Sequence, residues 1–192
     1  RHMKRRVVAA ALMLALAAIP AAHADESLWA LLKGGGQVVL MRHAVTTPGV
    51  GDPEGMRLAD CATQRNLSDE GRAHAKQVGE AFRARKIPVA QVLSSPWCRC
   101  LETARLAFGI EPQTTPALGN LFGRADPQGR QVAQMRALVS RKPAGGNLVL
   151  VSHGSTILAL TGVSPATGEM VVVTPQVDGK FHVAGRLEVP AR

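Results

Sequence analysis

Two short apolar runs constrain this chain more than any other feature. Val38-Val39-Leu40-Met41 leads straight into Arg42-His43, and Leu148-Val149-Leu150-Val151 leads into Ser152-His153-Gly154-Ser155. Uninterrupted apolar runs with no alternating polar residue read as strands buried on both faces. Such strands belong to sheets covered by helices, and ligands of open α/β sheets gather outside the carboxyl ends of the strands. Both runs therefore deliver a histidine to the edge where a ligand would sit. At the first end the histidine stands beside an arginine. A guanidinium fork can grip an oxyanion while an imidazole attacks it or carries its proton.

The segments between these runs fit the same plan. Leu28-Trp29 and Leu31-Leu32 make Ser27–Lys33 a short amphipathic segment, ended by Gly34-Gly35-Gly36. Residues 44–67 form a long polar loop rich in Gly and Pro, of the kind that often serves function. Ser68 caps a helix running to about Arg85, with Asp69 and Glu70 in its first turn and Ala75, Val78, Gly79 and Phe82 facing inward. Val89–Leu93 is a second strand. Ser94-Ser95-Pro96 then opens a helix over Trp97–Phe108, with Pro96 suited to the first turn. This puts Arg99 at a helix N-terminus, a place that already favours anions.

Thr114–Leu118 is expected as an edge strand, and 121–128 as loop. Gln128–Arg141 reads as a helix with Val132, Met135, Leu138 and Val139 inward. A short helix starts at Ile157 and closes at Gly162. Met170–Val173 and Phe181–Val189 are strands joined through an Asp178-Gly179 hairpin. Three strand–helix units and then a hairpin predict an α/β fold with a mostly parallel central sheet and an antiparallel C-terminal edge. One domain is expected over 25–192, with no repeat and no low-complexity segment.

The residues before it read differently. Arg1-His2 ahead of Met3 is taken as a cloning remnant. Residues 3–24 have the parts of a secretory signal peptide: basic Met3-Lys4-Arg5-Arg6, thirteen apolar residues from Val7 to Ile19, and Ala22-His23-Ala24 before Asp25. Thirteen apolar residues fall short of the roughly 20 a bilayer span needs, so no stable membrane insertion is expected after cleavage. The expected location is outside the cytoplasm, in the periplasm. Residues 1–24 hold four of the 23 basic residues and no acidic one, so residues 25–192 carry a net charge of +5. That charge suits anionic substrates. Scattered basic residues, four Phe, two Trp and no Tyr argue against a nucleic-acid partner.

In an oxidising compartment the three cysteines allow one disulfide, Cys61–Cys98 or Cys61–Cys100, tying the 44–66 loop to the turn that carries Arg99. A zinc site fits less well, because the Cys98-Arg99-Cys100 spacing is not that of a zinc finger.

Four residues now share one sheet edge: Arg42, His43, Arg99 and His153. The segments around them, Leu40–Thr46, Asn66-Leu67-Ser68 to Gly71, Ser94–Arg99 with Glu102-Thr103-Ala104, and Val151–Gly154, resemble the histidine phosphatase (phosphoglycerate-mutase-like) superfamily. The resemblance covers residues 37 to about 162, and Ala44, where Gly is common, is a departure. It implies a three-layer α/β/α sandwich and a phosphohistidine intermediate on His43. Arg42, Arg99 and His153 would bind the transferred phosphoryl group. The chemistry agrees: a neutral imidazole can attack phosphorus while two guanidiniums neutralise the equatorial oxygens, so no metal or other cofactor is called for.

Thr46 is a further candidate phosphate donor. A general acid for the leaving oxygen is less plain. Glu169 is preferred, because an antiparallel strand starting at 170 begins at the same edge; Asp52 is second, and Glu111 and Asp126 lack the family's usual surroundings. The expected function is an exported, metal-independent phosphatase acting on a small phosphorylated substrate, with phosphorylated envelope sugars as candidates. The alternative is a pseudophosphatase that binds phosphate or a phosphosugar without turnover.

Overall fold

The computed structural model describes residues 21–124 and 128–192. The apolar run Val7–Ile19 and Asp126 therefore lie outside the described residues. Helix α1 spans Ala21–Lys33, so the proposed cleavage point before Asp25 falls inside it. Cleavage there would retain Leu28, Trp29 and Leu32, the residues that α1 buries. Among the described residues no helix is long and apolar enough to cross a membrane.

Six strands form one sheet: β1 (Val38–Arg42), β2 (Val89–Ser94), β3 (Gln113–Thr114), β4 (Asn147–Ser152), β5 (Met170–Pro175) and β6 (Phe181–Leu187). Their order is β3-β2-β4-β1-β5-β6. Strands β1, β2, β3 and β4 run parallel, while β5 and β6 run antiparallel, as the pattern predicted. The register sets Met41 beside Val151 and Val151 beside Ser94. Three strands thus end level, and the residues just past their ends meet at one edge.

Side-chain alternation along the buried strands divides the core into two layers. Val39, Met41, Val149 and Val151 pack under α1, α2 (Asp69–Ala84) and α3 (Cys98–Phe108). Val38, Leu40, Leu148 and Leu150 pack under α4 (Gln128–Val139) and α5 (Gly154–Thr161). The result is the three-layer sandwich. At the opposite edge, the buried Asn147 amide accepts from the Gln37 N–H and donates to the Leu32 and Pro88 carbonyls, which pins α1 to the strand starts.

Three local expectations change. The segment expected as strand Thr114–Leu118 pairs only through Thr114, then turns into a 3₁₀ helix over Pro116–Leu118. Pro116 has no N–H for a ladder, and the Thr115 hydroxyl accepts instead from the Ala117 N–H. Pro96 stands before α3 rather than in its first turn, with Trp97 as the extended cap residue. Helix α5 starts three residues before Ile157, because His153 is extended and its carbonyl accepts from the Ile157 N–H. The Asp178-Gly179 turn is as expected, with both residues at positive φ, 61° and 68°.

Loop 44–67 is held at both ends. The Ser68 N–H donates to the Val45 carbonyl, and α2 begins so close to that carbonyl that a Cβ on Gly71 would collide with its oxygen. Farther along, the Cys61–Cys98 disulfide closes a separation of 37 residues. Closing a loop of that length stabilises the fold by about 4 kcal/mol on the chain-entropy account. Of the two pairings the sequence allowed, the structure has the one through Cys98. Cys100 is a buried thiol whose pKa burial pushes up to about 12.

Candidate active site

His43 comes directly after the last residue of β1, and its N–H donates to the Ser152 carbonyl at 3.0 Å, extending the parallel ladder. The ring is buried, with Nδ1 2.9 Å from the carbonyl oxygen of Ala44. A carbonyl only accepts, so Nδ1 carries the proton and Nε2 keeps a lone pair. Ala44 is itself fixed: its N–H donates to the Thr103 hydroxyl at 3.1 Å, and that hydroxyl donates to the Arg99 carbonyl at 2.7 Å. One threonine thus couples the loop that follows His43 to the helix that carries Arg99. The Ala44 methyl fills a small apolar pocket with Leu67 and Ala75, which accommodates a side chain where the family commonly has none.

His153 caps α5 from the end of β4. Its Nε2 lies 2.8 Å from the Ser95 hydroxyl, and its Nδ1 lies 3.5 Å from Nη2 of Arg99. A guanidinium only donates, so Nδ1 accepts here and Nε2–H donates to Ser95. Because Ser95 can donate as well as accept, the ring can reverse its tautomer and offer Nδ1–H to an oxyanion. The two imidazoles meet edge to face, with centroids 5.5 Å apart. Burial pushes the His43 pKa down to about 3, with Arg99, Arg42 and Arg65 adding to the shift. Burial also pushes His153 well below its usual range, helped by His43, Arg99 and Arg42. Both rings are therefore neutral at ordinary pH.

Three guanidiniums surround them. Arg42 ends β1 and donates through Nη1 to the Pro165 carbonyl at 2.9 Å. Its guanidinium lies across the start of α5, where a Cβ on Gly154 would stand 3.2 Å from Cζ and Nε. Arg99 is 1% exposed and donates from Nη1 and Nη2 to the Asp52 carboxylate at 2.6 and 3.2 Å. Arg65 was not singled out from the sequence. It reaches in from loop 44–67 and donates through Nη1 to Thr46 Oγ1 and the Gly49 carbonyl, both at 2.9 Å. In all three, Nε is buried with no hydrogen-bond partner among the described residues. Burial and mutual repulsion lower the pKa of Arg42, with Arg65 and Arg99 as its repelling neighbours, and that of Arg65, with Arg99 as its neighbour.

Arg42, His43, Arg65, Arg99 and His153 line one cavity of about 310 Å³. The four residues inferred from the sequence thus lie together, with Arg65 as a fifth. Thr46 is not in the cavity wall; its hydroxyl accepts from Arg65 and holds that side chain.

Glu169 requires a correction. It does stand at the expected edge, and its carbonyl accepts from the Arg42 N–H. Its carboxylate, however, accepts from Nε and Nη2 of Arg186 at 2.6 and 2.8 Å and from the Ala166 N–H at 2.6 Å, and it is not part of the cavity lining. Arg186 holds its pKa below the usual value, so it is an anion with its oxygens already engaged, not a proton donor. Its place is to brace the turn whose Pro165 carbonyl receives Arg42.

Asp52 is equally occupied. Burial alone would raise its pKa, but Arg99, the Arg65 N–H and the Trp97 indole hold it below the ordinary value. Glu111 is exposed and paired with Arg105. Among the described residues no carboxylate lines the cavity, and no three His, Cys, Asp or Glu side chains cluster as a metal site.

The fold is shared with known structures. SixA, a protein histidine phosphatase complexed with tungstate, aligns at a TM-score of 0.59 with 18% identity, covering 79% of this chain and 96% of that one. YhfR of Bacillus stearothermophilus aligns at 0.60 with 18% identity, over 81% and 98%. The phosphoserine phosphatase of Entamoeba histolytica, in complex with 3-phosphoglyceric acid, aligns at 0.57 with 15% identity, over 80% and 97%. At such identities the likeness is one of fold. No match is found among curated protein sequences. The sequence model of the histidine phosphatase superfamily (branch 1) matches residues 38–137, which is more than half of the 192 residues and includes Arg42, His43, Arg65 and Arg99. The chain belongs to the histidine phosphatase superfamily and is a phosphatase of the histidine type.

Proposed function

We propose that this phosphatase works outside the cytoplasm, without a metal, and hydrolyses phosphomonoesters through a phosphohistidine on His43. The observation that carries the reading is one cavity lined by three guanidinium side chains and by a neutral imidazole whose Nε2 has a free lone pair. Guanidiniums that repel one another, as Arg42, Arg65 and Arg99 do, gain from an oxyanion bound among them. A phosphoryl group supplies three such oxygens.

In this reading Nε2 of His43 attacks phosphorus. The Nε2–P bond forms as the P–O ester bond breaks, and the leaving oxygen keeps the electron pair and takes up a proton from solvent. The Ala44 carbonyl, accepting from Nδ1–H, stabilises the positive charge that the ring acquires. Arg42, Arg65 and Arg99 offset the charge on the equatorial oxygens as it builds, an effect worth about 10²–10³ in rate per donor. Water then attacks phosphorus, the P–N bond breaks with its electrons returning to Nε2, phosphate leaves and a proton passes to solvent.

The export reading is supported by the signal-peptide pattern of residues 3–24 and by the disulfide, which needs an oxidising compartment. Fractionation of cells making the full chain is expected to recover it in the periplasm with a new N-terminus at Asp25; recovery only in the cytoplasm with residues 3–24 attached rules export out.

Para-nitrophenyl phosphate tests the chemistry. His43→Ala is expected to lose turnover entirely, Arg65→Ala to lose about 10²-fold in kcat/KM, and Gly154→Ala, which displaces Arg42, to lose a smaller but measurable factor. Release of phosphate by His43→Ala at the wild-type rate would contradict the reading. Tight phosphate binding by a wild-type protein that never turns over would favour the pseudophosphatase instead.

The depressed histidines set the pH dependence. Imidazole NMR titration, assigned with His43→Gln, is expected to show His43 neutral from pH 8 down to 5; a midpoint near 6.5 would refute the neutral nucleophile. Because the folded pKa values lie below the unfolded one, the unfolded chain takes up protons first. These two residues therefore cost the fold stability as pH falls below about 6.5.

A further inference from the structure

The mouth of the phosphoryl site has a different character from its base. Six large apolar side chains are prominently exposed among the described residues, and three of them, Val50, Phe122 and Leu158, line the same cavity as His43. Their exposures are 89%, 60% and 45%. They come from three separate segments: Val50 from loop 44–67, Phe122 from the stretch after the 3₁₀ helix at Pro116–Leu118, and Leu158 from α5. The loop of Val50 reaches Phe122, since a Cβ on Gly51 would lie 3.8 Å from Phe122 Cε1. Leu158 stands four residues, or about 6 Å of helix rise, beyond Gly154, the residue against which Arg42 rests. Apolar surface thus begins one helical turn from the phosphoryl end.

Two of the polar groups at the mouth bond each other or the backbone. The Ser155 hydroxyl donates to Asn120 Oδ1 at 3.0 Å, and the same oxygen accepts from the Phe122 N–H at 3.1 Å. An exposed apolar rim gains from contact with an apolar group, whereas a hydroxyl held against Val50, Phe122 or Leu158 would lose water with no partner from those side chains.

We propose that Val50, Phe122 and Leu158 form the subsite for the organic part of the substrate, and that this part is a hydrocarbon chain, so that the preferred substrate is an alkyl-type phosphomonoester rather than a sugar phosphate. The inference rests on the phosphoryl-site reading above and names the substrate class for it. It replaces the envelope sugar suggested by compartment and family analogy. The rim adds affinity with each methylene that it covers, until the chain extends past Phe122.

Binding of soluble alkylphosphonates, from ethyl to octyl, tests this by calorimetry on the full chain without requiring turnover. Affinity is expected to rise roughly two- to fourfold per methylene, and a polyhydroxylated phosphonate of matched length is expected to bind at least tenfold more weakly than its alkyl counterpart. Phe122→Ser and Val50→Ser are expected to flatten the chain-length slope. A flat wild-type series, or tighter binding of the polyhydroxylated compound, overturns the proposal. A rising series with para-nitrophenyl phosphate turned over but octyl phosphate not hydrolysed overturns the substrate class, whereas a rising series with neither ester hydrolysed upholds the subsite and sinks the mechanism on His43, so the two fail separately.

Discussion

Three arginines, one buried and two half-buried, share one cavity lining with a single carboxylate beside them, and much of the site's structure stems from that imbalance. Arg42, Arg65 and Arg99 face two imidazoles that their own burial and the neighbouring positive charge keep neutral. Asp52 pairs with Arg99, and the remaining charge is directed at whatever enters. Burying charge without a partner is expensive, and such an arrangement persists only where the surrounding structure over-determines it. The cost is met by a set of specific braces. Pro165 receives Arg42, Thr46 and Gly49 receive Arg65, and Asp52 receives Arg99.

Those braces come from distant parts of the chain, and the parallel sheet brings them together. Because β1, β2 and β4 end level, Arg42-His43, Ser94-Ser95 and Ser152-His153 emerge side by side. Two glycines then permit close approaches: Gly71 under the Val45 carbonyl, where a Cβ would collide, and Gly154 under the Arg42 guanidinium, which a Cβ would push aside. The Cys61–Cys98 bridge anchors loop 44–67 one residue from Arg99, so Asp52 and Arg65 are delivered by a loop with little freedom to withdraw. Glu169, with Arg186, stiffens the turn behind Arg42.

Much of this was legible in the sequence. The two apolar runs announced buried parallel strands because double-sided burial leaves no polar alternation. The histidines at their ends, with Arg99 after the strand that lies between them in the chain, announced four residues that the structure brings to one cavity. What escaped has physical causes. Arg65 lies in a loop without periodicity, and its position depends on an antiparallel return of 66–68 along 45–47 that no local pattern encodes. Its one signal was a basic residue just ahead of the Asn66-Leu67-Ser68 segment. Glu169 was placed at the right edge, but strand direction alone does not reveal where a carboxylate turns; Arg186, across the β5–β6 pair, decided that. Pro116 ended the edge strand by removing a ladder donor.

On the proposed reading, guanidiniums gathered at a neutral imidazole have one decisive consequence, a covalent phosphoryl group on Nε2 of His43 during turnover. The direct measurement is rapid alkaline quenching of wild type with para-nitrophenyl phosphate, then mass spectrometry of the peptides. The account predicts a single phosphoryl group on His43, stable in alkali and lost in acid. Hydrolysis that proceeds with His43 never phosphorylated, or with the phosphoryl group on another residue, would contradict it.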